Sequence, residues 1–276
     1  MFKKNRYFFQ LPSLFLLSFV IVGVGIRLPL MFLPMDGDEG INFTYFAVLP
    51  WAKLFTQYLT PNQHTFYIAV AYVFRIIFGE SEFIFRLPAL LTGIISIFLI
   101  YKISLGLIRS HFVAISASTL ITFSLLNYQY SIRGRGYTTT LFLSLLLIYA
   151  VISIFKNRHA TLWRWIFVLG GLSLILTLPS NACFLGGISI FFLTLKYKNE
   201  NIYSLVFSKN FYEEICFIIF TATLSLSYFW IIRSDLLKGV LEYRNYAITV
   251  GENIDWSFSR LIQIWSGLFQ PWGLWL

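Results

Sequence analysis

The chain has 276 residues, of which 58% are hydrophobic and 12% charged, with a formal net charge of +9 and a mean hydropathy of +0.73. A soluble domain carries about 25% charged residues to cover its surface, so this composition excludes a water-soluble globule of this size. The basic excess flanks long apolar runs, the pattern of loops beside anionic headgroups, which sets nucleic acid aside as a partner.

In chain order, the start is basic (Lys3, Lys4, Arg6) and leads into an apolar run over about 11–33. It has no small-x-small cleavage site, and we read it as an uncleaved first helix that begins in the cytoplasm. Further runs follow at about 84–108, 111–130, 137–155, 163–179, 182–196, 215–232 and 258–276. Each lies near the ~20 residues that cross hydrocarbon. The expected fold class is all-α: a polytopic membrane helix bundle of about eight spans, in one membrane domain over 1–276. We find no linker and no internal repeat. Cys183 and Cys216 fall near opposite faces, which argues against a disulfide, and no Cys/His spacing suits zinc.

A further helix-like stretch, His64 to Gly79, carries Arg75. If it lies along the outer interface, then Lys102, Arg109, Lys156, Arg158, Arg164, Lys196, Lys198 and Lys209 all face the cytoplasm, as the positive-inside rule requires. If it crosses, every later loop inverts and the rule fails. The interfacial placement puts two sizeable segments outside, about 34–83 and 233–256. It also puts Arg86, Arg133, Arg135, Asp36, Asp38 and Glu39 outside, against the trend, and such polar groups are functional candidates.

Three segments could carry chemistry. The loop Met35 to Gly40 holds Asp36, Asp38 and Glu39; closely spaced carboxylates suit a general base or a metal site, and also suit a plain solvated loop. Thr60 to Tyr67 presents His64 at a helix start, able to ligate a metal, move a proton or simply sit at an interface. Tyr128 to Thr140 presents Arg133 and Arg135, planar forks suited to phosphate oxygens. Gly134 and Gly136 would let backbone approach a ligand, and Tyr137 adds a hydroxyl and a ring. Arg27, inside the outer end of the first run, is expected to snorkel to headgroups.

The order of these elements resembles a known family. An Arg27-Leu28 pair closes the first span and the Asp38-Glu39 loop follows. PNQHTFY leads into a helix, GESEFIFRLPALL (Gly79 to Leu91) comes next, and Arg135-Gly136-Tyr137 opens another. This is similar to the dolichyl-phosphate-mannose protein mannosyltransferases and the bacterial lipid A aminoarabinose transferases, which share the GT-C membrane fold. The likeness is best over about 25–150 and treats that stretch as the catalytic-type module. It implies interfacial helices in the first outer loop and transfer of a sugar from a polyprenyl-phosphate donor to a hydroxyl on a lipid, glycan or protein acceptor, with inversion. Asp38 would be the base. Glu39 would support it or hold a divalent metal ion. Arg133, Arg135 and Tyr137 would bind the donor phosphate, and His64 and Asp36 would serve the acceptor or a metal. Relatives often carry two prolines where this chain has Gln63-His64-Thr65, which implies a differently shaped acceptor side; many are also longer, so a shortened relative or a fragment is expected. The expected location is a bacterial inner membrane. The competing readings are a transporter or flippase, which calls for repeats and midplane charges, and a non-catalytic membrane assembly partner.

Overall fold

The computed structural model describes residues 6–60, 62–156, 159–197 and 209–249. Among them every regular element is helical: α1 Arg6–Arg27, α2 Gly37–Thr44, α3 Trp51–Thr56, α4 Thr65–Phe78, α5 Glu82–Ile108, α6 His111–Thr122, α7 Leu125–Ser131, α8 Tyr137–Phe155, α9 Ala160–Thr177, α10 Ala182–Tyr197 and α11 Lys209–Thr249. Short 3₁₀ turns join some of them. Residues 1–233 form one compact unit and 234–276 a second.

Local chemistry sets the helix ends. Asp36, Ser81, Ser110 and Ser124 cap α2, α5, α6 and α7 by accepting a backbone N–H with their side-chain oxygens, the usual answer to the orphan donors of a first turn. Asp38 and Glu39 lie in the first turn of α2, where carboxylates meet the positive end of the helix dipole. Gly79 ends α4 at φ 94°, a backbone state that glycine adopts without strain.

Packing places α5 at the centre, against α4, α6, α7, α8 and α1, with α9 lying on α8. Phe46, Leu54, Tyr67, Ile68, Phe85 and Ala89 bury the first loop against α4 and α5. Large apolar side chains remain exposed on the outward faces, among them Phe112, Leu120, Leu169, Ile190 and Trp230. Water would not tolerate that surface, and lipid does. This is a helical membrane protein.

Five helical segments are long and apolar enough to cross a bilayer: Leu14–Phe32, Glu82–Ile108, Tyr137–Phe155, Ala160–Thr177 and Phe211–Gly239. The expected total of about eight is therefore not reached among the described residues, for identifiable reasons. The run at 111–130 is not one helix but α6 and α7, bent by 54° at a break, and makes a sixth span only if the pair is counted as one. The run at 182–196 forms α10, a 16-residue helix. The run at 258–276 lies outside the described residues. Helix α4 has 14 residues, about 21 Å at 1.5 Å per residue, too short to cross ~30 Å of hydrocarbon alone.

Arg27 corrects one expectation. It does not snorkel, and its side chain is fully buried. Its Nε–H donates to Ser131 Oγ at 2.7 Å, Nη1 to the Gly23 carbonyl at 2.9 Å and Nη2 to the Thr122 carbonyl at 3.0 Å. Thr122 and Ser131 end α6 and α7. The guanidinium thus holds both arms of the broken helix and satisfies a carbonyl that the break leaves open.

Candidate functional site

Four segments distant in sequence meet at one end of the bundle: the start of α2, the 60–64 turn, the start of α5, and the loop 132–136 that leads into α8. Charge pairing joins them. Asp36 meets Arg133 at 2.7 Å, Asp38 meets Arg135 at 3.2 Å and Glu39 meets Arg86 at 2.6 Å. The acidic loop and the Arg-Gly-Arg loop, 95 residues apart, are thereby one site, as the sequence had grouped them only by type.

The two neighbouring acids have opposite surroundings. Glu39 is 1% exposed. Arg86 grips it with two parallel bonds, Nε to Oε1 at 2.6 Å and Nη2 to Oε2 at 2.8 Å, the strong forked geometry of guanidinium on carboxylate. The Gly134 N–H also donates to Oε1. Arg86 spends Nη1 on the Met31 and Leu33 carbonyls. Glu39 is consequently an anchor for three segments, with both oxygens engaged. Asp38, by contrast, is 44% exposed. Its Oδ1 accepts from Asn62 Nδ2 at 3.0 Å, while Asn62 Oδ1 accepts from Arg135 Nη2 at 2.8 Å. Asn62 bridges acid and base and fixes their spacing. Asp36 caps α2 through the Glu39 N–H at 3.0 Å and shares its carboxylate with the half-exposed Arg133.

Arg135 is 8% exposed, lies over the Tyr137 ring at 4.9 Å and donates to its hydroxyl at 3.3 Å. The Tyr130 and His64 rings also pack on Tyr137, at 4.4 and 4.9 Å. His64 is fully buried, its Nδ1 3.4 Å from the Thr177 carbonyl. Burial, then the Arg135 charge, lower its pKa from 6.5 to about 4, with the Thr177 contact acting the other way. Unfolded chain binds a proton there as pH falls below 6.5 and folded protein does not. The stability this group contributes is therefore present above pH 6.5 and is lost as pH falls through 4. Close by, burial pushes the Tyr58 phenol up to about 12, with Tyr228 and Tyr137 adding to the shift.

The glycines do something other than expected. A Cβ on Gly134 would sit 2.5 Å from the Phe85 ring, and one on Gly136 would sit 2.7 Å from Thr177 Cγ2 and 2.9 Å from His64 Cβ. The close approach they permit is to the protein's own core. Gly134→Ala is expected to destabilise by about 1–3 kcal/mol, the usual cost of overpacking, because Phe85 is wholly buried and the Gly134 N–H must stay on Glu39. A lowered unfolding midpoint in detergent checks this; an unchanged midpoint would show that the ring moves freely.

Asn62 and Gln63 went unread in the sequence as site residues. Gln63 is buried and ties its amide to the Leu59 N–H and to the Leu54 and Gln57 carbonyls, which shapes the turn that presents Asn62 and His64. A buried glutamine in a polar stretch has no sequence signature. Arg86 did have one, as a cation on the wrong side of the charge pattern.

Among the described residues no group of three or more His, Cys, Asp or Glu is arranged so that it could hold a metal ion. The three carboxylates of the site each face an arginine, so the donor set as arranged does not fit a metal ion. Comparisons with protein-family models, curated proteins and solved structures find no match to this chain.

Proposed function

We propose that the protein is a GT-C-like glycosyltransferase that takes a sugar from a polyprenyl-phosphate donor and passes it to a hydroxyl acceptor at the outer face of the membrane. The observation that carries the reading is the Asp38–Asn62–Arg135 constellation: an accessible carboxylate and a nearly buried guanidinium held 3.2 Å apart at one end of a membrane helix bundle. That pairing answers the two electrostatic demands of the reaction in one place. The bacterial inner membrane is the location this reading favours.

In the proposed reaction the donor phosphate takes Arg135, competing with Asp38 for its N–H groups and releasing a carboxylate oxygen. The acceptor hydroxyl then gives its proton to Asp38 as its oxygen bonds to the anomeric carbon. The bond from that carbon to the phosphate oxygen breaks, and its electron pair leaves with the polyprenyl phosphate. Arg135, oriented by Asn62 and Tyr137 and itself only 8% exposed, neutralises the growing charge. Arg133 lies two residues away in the same loop for a further phosphate oxygen. Direct displacement from the opposite side inverts the sugar. A cleft of about 370 Å³ between α9, α10 and α11, lined by Ile175, Leu185, Ile190, Leu226 and Phe229 among others, is where we assign the prenyl chain. Ile175 is two residues from Thr177 and Phe229 adjoins Tyr228, both of which touch the 64–65 segment.

The test is transfer from a panel of radiolabelled polyprenyl-phosphate sugars in membranes that contain the protein, with Arg135→Ala as comparison. Transfer by the wild type that drops at least about 100-fold in Arg135→Ala, on the scale of lost preorganised charge stabilisation, supports the reading. No transfer from any donor overturns it.

A further inference from the structure

Buried polar side chains are almost always hydrogen-bonded, and an exception calls for an explanation. Two exceptions border the same tyrosine. His64 Nε2 and Arg135 Nε are buried and have no partner among the described residues. Both side chains pack on Tyr137, each 4.9 Å from its ring centroid, and the Arg135 charge helps lower the His64 pKa.

The protonation of His64 follows from its neighbours. A ring nitrogen beside a carbonyl oxygen carries the hydrogen, so Nδ1 is the donor toward Thr177 and Nε2 holds a bare lone pair. The ring stays neutral because a second positive charge beside Arg135 in a buried site is disfavoured. Nε2 can therefore accept a hydrogen bond or bind a metal. The adjacent guanidinium repels a metal, and no cluster of ligands surrounds the ring among the described residues. A vacant acceptor next to a vacant guanidinium donor is complementary to a ligand that carries a hydroxyl beside an anionic oxygen.

Resting on the transferase reading above, we propose that His64 is a specificity-determining residue, whose Nε2 accepts a hydrogen bond from one hydroxyl of the sugar carried on the donor phosphate. The phosphate takes Arg135, and the sugar lies toward the 64–65 turn. Acceptance by a neutral imidazole, in place of a carboxylate, reads the hydroxyl without adding negative charge next to the phosphate. Tyr137 keeps the two recognition groups apart at fixed spacing, and Gly136, beside His64 Cβ and Cγ, leaves room for the imidazole.

The experiment compares each donor with its mono-deoxy sugar analogues for the wild type, His64→Gln and His64→Phe. The wild type is expected to favour the parent sugar over one deoxy position by about 100-fold or more in kcat/KM, as sites built around a substrate hydroxyl do. His64→Phe should remove that preference by losing parent turnover while keeping turnover of the deoxy analogue. His64→Gln, which retains an acceptor oxygen, should keep part of it. Equal discrimination in all three proteins, or equal loss on both donors in both variants, overturns the proposal and leaves His64 a packing residue. Binding of the same donor pairs, measured by thermal shift, supplies a second readout. Should the wild type transfer no sugar, the transferase reading fails alone: a binding preference for the parent that His64→Phe abolishes still supports the His64 assignment, and equal binding of both donors overturns it.

Discussion

Arg86→Met should be the most damaging single change in the protein, with a loss of about 3–5 kcal/mol, the range for stripping one partner from a buried ion pair. The pair is 1–2% exposed, so water cannot take over for the abandoned Glu39 carboxylate. The Met31 and Leu33 carbonyls lose a donor and the Glu39 carboxylate loses two of its donors at once. Glu39→Gln should fall short of that, because the amide keeps one acceptor for the Gly134 N–H. Arg86→Met combined with Glu39→Gln should cost less than the sum of the two single changes, since no lone charge is left behind. Thermal unfolding in detergent, followed on the tagged protein, measures all four species. Single variants that lose less than about 1 kcal/mol, the worth of a solvated surface pair, would show that water reaches the pair.

Asp38→Asn should do the opposite: little change in stability and a fall of about 10²–10⁴ in transfer rate, the range for a positioned general base. Asp38 is 44% exposed, and asparagine still offers an oxygen to Asn62 Nδ2, so the fold has no reason to suffer. What it lacks is a site for the acceptor's proton. The loss should appear in kcat, with donor KM unchanged or lowered, because asparagine competes less with the phosphate for Arg135. The contrast with Glu39 is the sharp part. Activity lost in Glu39→Gln should track folded protein, whereas activity lost in Asp38→Asn should not. Full activity in Asp38→Asn would remove Asp38 from the chemistry.

These two residues also show where a sequence stops being informative. Helix α2 turns by about 100° per residue, so adjacent acids point to different surroundings, and nothing in the string DE says which one is buried. The long runs behind α5, α8 and α9 were legible because a bilayer demands a fixed length of apolar chain. The break between α6 and α7 was not, since Phe123-Ser124 leaves hydropathy continuous; Ser124, a good cap, was the one local hint. Arg27 was misread because a cation near the end of a span has two outlets, headgroups or buried carbonyls, and only tertiary packing decides. The three segments were recognised as candidates by residue type, yet their pairing rests on contacts across 24 and 95 residues, a range at which residue patterns are silent.

Those separations have a consequence in time. A ribosome adds about 5–20 residues per second, so Glu39 emerges roughly 2–10 s before Arg86 and roughly 5–19 s before Gly134. Throughout that interval α2 holds an acid whose buried ion-pair partner does not yet exist. The acid must stay hydrated, which keeps the segment 28–64 at the water boundary while α5 is being made. Only the arrival of Arg86 lets it sink, and only the later loop seals it. The charged site is thus the last part of this half of the chain to close, and its assembly is timed by synthesis itself.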